Sequence, residues 1–272
     1  MPSWTVDAPK RLDFDDVTAL NVRLMAGSVA VLASDDPASL VVTELKGRPL
    51  QVTEEGGELT ISYESLSWEG LLGFLKPRHD SVAVTITVPA DCPIQLGVLS
   101  ASAIVSGLRS GAAVKGMSGD VTLDGVAGNV EAETMSGEIA ARDIDGEVRF
   151  KSMSGGLVLA DGWLDRLEAN TMSGQIAADV TLRAEGDVHV STMSGDVTLR
   201  LPEGSDARVR LQSTSGAVRS EFESLRAVKA PASHTVSGNV GAGTGRVSVS
   251  TMSGSVTLLR RLRREGKESE TR

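Results

Sequence analysis

The feature that most restricts how this chain can fold is a short motif that returns at nearly fixed intervals. Met-Ser-Gly occurs at Met117, Met135, Met153, Met172, Met193 and Met252, and degenerate copies stand at Thr214-Ser215-Gly216 and Val236-Ser237-Gly238. From Ser118 to Ser253 the motif serines follow one another at 18, 18, 19, 21, 21, 22 and 16 residues. A period near twenty marks a repeat architecture in which each unit is one small supersecondary element. Each Met-Ser-Gly is followed by an alternating segment such as Val121-Thr122-Leu123 or Val197-Thr198-Leu199. Another precedes it, such as Val130-Glu131-Ala132 or Val247-Ser248-Val249. Alternation with period two is the strand signature, one side turned inward and the other toward water. No 3.6-residue pattern is sustained, which excludes a helical repeat.

A coil of 18 to 22 residues with two such strands cannot bury its apolar side alone. Stacking coils about 4.8 Å apart joins those sides into one core. The expected fold is therefore all-β: a parallel β-helix or β-solenoid of about eight or more coils, with an N-terminal β cap region. In such a stack like residues lie above like residues. Gly119, Gly137, Gly155, Gly174, Gly195, Gly216, Gly238 and Gly254 would form one column, and the six methionines another. Thr134, Thr171, Thr192 and Thr251 would align just before the motif. In the early repeats glycines fall every nine residues, at Gly119, Gly128, Gly137, Gly146 and Gly155. That spacing predicts a positive-φ turn at each corner. A thin core has little room for rings, in keeping with an aromatic content of 3%. The methionine column has two placements, inward as flexible core filler or outward as a soft apolar stripe.

Residues 1–100 lack the motif but carry strand-like runs, among them Val29–Leu32, Leu40–Val42, Leu59–Ile61 and Val82–Val88. They are expected to cap the solenoid and to be continuous with it, because the end of a repeat array must not leave open strand edges. The array proper spans 101–259, and 260–272 reads as a basic, flexible tail. Between two of the N-terminal strands lies Leu66–His79, which gathers Trp68, Leu71, Leu72, Phe74 and Leu75 beside Lys76, Arg78 and His79. One reading is a loop tucked against the cap. The other is an exposed apolar tip that touches a partner or a membrane surface. In the tail, Arg260, Arg261, Arg263 and Arg264 offer a weak electrostatic contact to an anionic surface.

The Ser-Gly-[Asp/Glu/Asn]-[Val/Ile] repeat and the Val88-Pro89-Ala90 element resemble the bacterial DUF4097 family, described as candidate adhesins with β-strand repeats. The best matches are Ser118-Gly119-Asp120-Val121, Ser136-Gly137-Glu138-Ile139, Ser194-Gly195-Asp196-Val197 and Ser237-Gly238-Asn239-Val240. The resemblance runs from about Asn21 to Leu259. It implies a β-strand repeat fold and an adhesin-like binding role, and it brings no catalytic residues with it.

Other function classes fare poorly. The net charge is −9, and the last thirteen residues carry six Lys or Arg against three Asp or Glu, so the remainder stands at −12. An acidic body argues against nucleic-acid binding. Polysaccharide-active β-helix enzymes, the remaining catalytic alternative, set carboxylates around a groove on long loops and stack sugars on aromatics. Here coils are short, and Phe150 and Trp163 are the only aromatics between Met117 and Arg219. His79, His189 and His234 are far apart, so no Ser-His-Asp set can be argued. The position after each motif glycine holds Asp120, Glu138, Gly156, Gln175, Asp196, Ala217, Asn239 and Ser255, too few acids for a calcium column. No metal or cofactor is expected. Gly241–Gly245 precedes a strand and no helix, so it is discounted as a phosphate loop. The lone Cys92 reads as a small buried side chain and gives no disulfide. The N-terminal MPSWTVDAPKRLDFDD has no apolar leader core, and a cytoplasmic location, peripheral to the membrane if the Trp68–Leu75 tip docks, is expected. These features together favour a non-enzymatic scaffold whose repeat faces meet a protein partner or a second copy.

Overall fold

The computed structural model describes residues 2–63, 80–230 and 233–262. The described elements are all strands, and they join into a single hydrogen-bonded system. The N-terminal part holds β1 (Ser3–Val6), β2 (Lys10–Phe14), β3 (Ala19–Ala33), β4 (Ala38–Lys46), β5 (Leu50–Glu55), β6 (Glu58–Tyr63) and β7 (Ser81–Val88). The middle holds β8 (Ile94–Ser106), β9 (Ala112–Gly116), β10 (Val121–Thr134), β11 (Ile139–Ser152), β12 (Leu157–Thr171) and β13 (Ile176–Thr192). The end holds β14 (Val197–Pro202), β15 (Ala207–Ser213), β16 (Val218–Ser220), β17 (Arg226–Ala230), β18 (Ser233–Val240), β19 (Gly245–Thr251) and β20 (Val256–Arg261).

Long strands such as β10 and β11 pair in parallel along nearly their whole length, Val121 with Ile139 through Thr134 with Ser152. Each bends on the way, so one strand supplies two sides of a coil. A positive-φ column makes that bend: Gly107, Gly125, Asp143 and Asp161 lie at φ 79°, 64°, 52° and 55°. Aspartate is among the few non-glycine residues that accept this conformation, which is why glycine is not retained there.

Two walls result. Segments that follow the Met-Ser-Gly corners build the first, in the order β2, β4, β7, the second half of β3, the second half of β8, then the first parts of β10 to β13, then β14, β20 and β16. Segments that precede the corners build the second, from β1, β5 and β6 through β3, β8 and β9 to the ends of β10–β13, then β19, β15, β18 and β17. The middle is parallel. At the N-terminal end both walls close with antiparallel strands, and β18 and β17 do the same for the second wall at the other end. β3 already follows the coil path, with Leu20–Leu24 and Ala26–Leu32 in register with β8.

The stack does not follow chain order. β19 and β20 sit directly on β13 and β14, and β15 and β16 lie beyond them. The last coil of the array is thus inserted between two earlier ones. The chain reaches this slot through Gly241–Thr244, which steps over the start of β15. Asp206 holds the step by accepting the Ala242 N–H at 2.7 Å, with Gly241 and Gly243 at φ 56° and 73°. The glycine-rich run is therefore a crossover turn. Val236-Ser237-Gly238 also departs from the expected column: it lies inside β18, antiparallel to β15, with Gly238 opposite Val209. Gly238 is not a motif corner, because the capping strand runs the other way.

The core is a set of aliphatic columns. Val121, Ile139, Leu157, Ile176, Val197 and Val256 stack in register, each 1% exposed or less. Opposite them, Phe150 is fully buried between Ala132 and Ala169. The one ring in this stretch of core fits because both stacked neighbours are reduced to a methyl group, which keeps the packing density of the layer.

Candidate functional site

Every residue of the corner except methionine has a role in the fold. The residue before it is Thr134, Ser152, Thr171, Thr192, Thr251 or Ser213, and its hydroxyl accepts the N–H of the motif glycine three residues on. These bonds measure 3.0, 2.6, 3.0, 2.9, 3.0 and 2.8 Å in that order. They satisfy a backbone donor at a place where no strand partner reaches it. The motif serine donates to the methionine carbonyl of the coil below: Ser136 Oγ to Met117 O at 3.2 Å and Ser194 Oγ to Met172 O at 3.3 Å.

The motif glycine is required by close approach, not by a turn conformation. Gly119, Gly137 and Gly155 have ordinary φ values, whereas Gly128 and Gly146, on the other corner, are positive at 93° and 134°. A Cβ on Gly137 would stand 2.1 Å from Gly119 O, and one on Gly155 would stand 2.2 Å from Gly137 O. Gly174, Gly195, Gly216 and Gly254 repeat this, with the carbonyl of the coil below at 1.8 to 2.0 Å. The nine-residue spacing of glycine thus mixes two different requirements.

Methionine points outward. Met117, Met135, Met153, Met172, Met193 and Met252 are 44 to 56% exposed, although they belong to a regular stack. Ser136 N, Ser154 N, Ser173 N, Ser194 N and Ser253 N bond the carbonyl of Met117, Met135, Met153, Met172 and Met193 at 2.8 to 3.0 Å. The six methionines are therefore consecutive in space, and the insertion of the last coil places Met252 beside Met193. Thr214 is displaced to the far end of the row, its N–H bonded to Thr251 O at 3.1 Å. The edge resolves the two placements in favour of the outward one, because the inward positions at the corner are already taken by the threonine hydroxyl and the glycine.

The two walls beside this edge differ. On the first, the outward column Ile104, Thr122, Ala140, Val158, Ala177, Thr198 and Thr257 carries no charge before Arg219. On the second, outward residues form ion pairs between coils: Lys115 with Glu133 at 3.2 Å and Arg149 with Glu168 at 3.6 Å. An open groove of about 330 Å³ on that wall is lined by Glu131, Glu168, Arg149 and Arg166. Arg149 and Glu168 there pair with one another.

A family model described as Toastrack DUF4097 matches residues 17–259. The chain belongs to the Toastrack DUF4097 family. No curated protein matches it. Among solved structures it is similar to a candidate lipid-binding protein from Parabacteroides distasonis, at 18% identity, covering 93% of this chain and 97% of that one, with TM-score 0.48. A candidate adhesin from the same organism matches at 10% identity over 96% and 97%, TM-score 0.44. Another, from Bacteroides fragilis, matches at 10% identity over 95% and 97%, TM-score 0.38. Likenesses at this level bring no ligand to this member of the family.

Other expected sites are placed as follows. Trp68, Leu71, Leu72, Phe74, Leu75, Arg263 and Arg264 lie outside the described residues. Arg261 donates to Asp179 Oδ1 at 2.7 Å and to Thr181 at 2.6 Å, and Arg260 pairs with Glu203 at 3.1 Å. Both arginines thus engage acids of their own fold. Asp179 also binds Arg200, whose guanidinium this hydrogen bond and charge hold above its ordinary pKa. Asp120 and Asp196, in the column after the motif glycine, accept the N–H of Glu138 and Ser255 at 3.0 and 2.7 Å. They tie coil to coil. His189 and His234 are exposed, on different strands. Cys92 is buried, and desolvation pushes its thiol up to about 11, the opposite of a reactive thiolate.

Proposed function

We propose that this Toastrack DUF4097 protein is a non-enzymatic binding scaffold, and that the methionine edge is the surface it offers to a protein partner. The observation that carries this reading is the outward row of six methionines at corners whose other residues are consumed by the fold. An exposed apolar row costs solubility and contributes nothing to the core, so its retention at six corners speaks for contact with something outside. Methionine suits such a surface, since its three rotatable bonds and polarisable sulfur adapt to varied shapes. The uncharged column on the first wall, from Ile104 to Thr257, extends the dry area next to the edge.

The test replaces Met135, Met153 and Met172 together by Asn and compares capture of partners from native lysate with wild type. These side chains stand in water, so the variant should keep its circular dichroism and lose the specific partner. Equal capture by both proteins would remove the edge from the binding surface.

A further inference from the structure

The edge has a second property that apolar docking does not require. Inward columns of the same coils exchange their residues freely: Val, Ile and Leu in one, Leu and Ala in the next, Thr and Ser at the corner. The outward edge exchanges only at its ends: Leu99, whose carbonyl accepts the Ser118 N–H, precedes Met117, and Thr214 follows Met252. The six consecutive coils between them carry methionine, although leucine, valine or isoleucine would give an equal apolar row. In chain order the row would be broken by Thr214 and Val236. The inserted last coil and the reversed β18 remove that break, so Met117, Met135, Met153, Met172, Met193 and Met252 run without interruption. What the row holds constant is the thioether sulfur.

We propose that the methionine edge binds a soft monovalent cation, copper(I) by chemical class, through pairs of thioethers from neighbouring coils; this rests on the reading of the edge as a binding surface. Thioethers select soft, electron-rich ions and bind hard ones such as Mg²⁺ or Ca²⁺ weakly. Neighbouring coils hold equivalent atoms about 4.8 Å apart. A metal bound to sulfur at about 2.3 Å on each side spans about 4.6 Å. The parallel stack therefore holds consecutive methionine backbones at nearly the span that one two-coordinate ion bridges, and the flexible side chains bring their sulfurs to it. No electron moves, no protein bond breaks and no proton leaves, because a thioether has none to lose. Asp120, Glu138 and Asp196 lie three residues past Met117, Met135 and Met193.

The experiment titrates the full chain with silver(I), an air-stable probe of the same class, by calorimetry and by the methyl resonances of methionine. Two triple variants carry the decision. Met135→Leu/Met172→Leu/Met252→Leu leaves no two neighbouring methionines, whereas Met172→Leu/Met193→Leu/Met252→Leu leaves three in a row. Wild type should take up to about three ions, at two sulfurs each. The alternate variant should bind more than about tenfold more weakly, because the second sulfur no longer lies within reach. The block variant should keep the wild-type affinity at a lower stoichiometry. Binding should also be flat between about pH 5 and 8, where carboxylate or imidazole ligands would titrate. Absence of silver binding, equal behaviour of the two triples, or a steep pH dependence would overturn the proposal. Leucine keeps the apolar bulk, so partner capture by the same variants reports separately on the docking surface.

Discussion

Replacing Gly174 by alanine tests why the motif needs glycine. Its φ is ordinary, so alanine costs nothing in backbone conformation. The added Cβ would instead stand 1.8 Å from Gly155 O and 2.6 Å from the carbonyl carbon. Ordinary contact begins near 3.4 Å, so the coils must part locally by more than an ångström. The bonds that close this corner are Ser173 N to Met153 O at 3.0 Å and Met172 N to Ser152 O at 3.3 Å. Both would pass beyond hydrogen-bonding range, at about 1 kcal/mol each. Overpacking adds about 1–3 kcal/mol. The total is about 3–5 kcal/mol, a large fraction of the stability of a domain. Gly204→Ala is the control, since no atom lies within 4 Å of its Cβ position and its φ is not positive. It should change stability by less than about 0.5 kcal/mol. Urea unfolding followed by circular dichroism measures both. If Gly174→Ala cost less than about 1 kcal/mol, close approach would not be the reason for glycine at the corner, and the stacking argument for the whole column would fail.

Thr171→Val removes the hydroxyl that accepts the Gly174 N–H at 3.0 Å and leaves a buried donor, so unfolding should show a loss of about 1–3 kcal/mol. Thr171→Ser should lose much less, as Ser152 and Ser213 already fill the same role, and equal losses would discount the bond. Phe150→Ala empties the space between Ala132 and Ala169 and should cost about 3–5 kcal/mol by the same method, with partial recovery in Phe150→Ala/Ala169→Leu if the columns exchange volume. Burial raises Cys92 from 9.0 to about 11, and burial with Asp80 raises Tyr63 from 10.0 to about 12. Both groups ionise first in the unfolded chain. Their contribution is therefore complete below about pH 9 and is lost as pH rises through 9 to 12, and a thermal midpoint that stays level across that range would contradict it.

The repeating strand–corner–strand unit was legible because its signals are local. Alternation fixes which side chains turn inward, and a constant period fixes that successive coils stack in register. Column membership followed from spacing alone for the motif glycines of the first five repeats, for Thr134, Thr171, Thr192 and Thr251, and for the aliphatic core. The N-terminal runs Val29–Leu32, Leu40–Val42, Leu59–Ile61 and Val82–Val88 also lie within strands of the structure.

Three things required the tertiary structure, each for a non-local reason. The direction of the methionines depends on the path of the corner: parity counted from Thr134 or Thr192 points outward while the corner leaves an inward turn open, and the claims of threonine and glycine on the interior keep the thioether outward. The reason for glycine lies in the carbonyl of another coil 18 to 59 residues away and leaves no trace in local conformation. The order of the coils is invisible to the period, because inserting β19–β20 between β14 and β16 keeps every local pattern and changes only which neighbours meet. Sequence by itself therefore determined the unit and its periodicity, which short-range sterics and burial dictate. Tertiary structure decided the arrangement of units, and with it the uninterrupted methionine edge, because strand pairing across coils is chosen by the closure of the ends and not by adjacency along the chain.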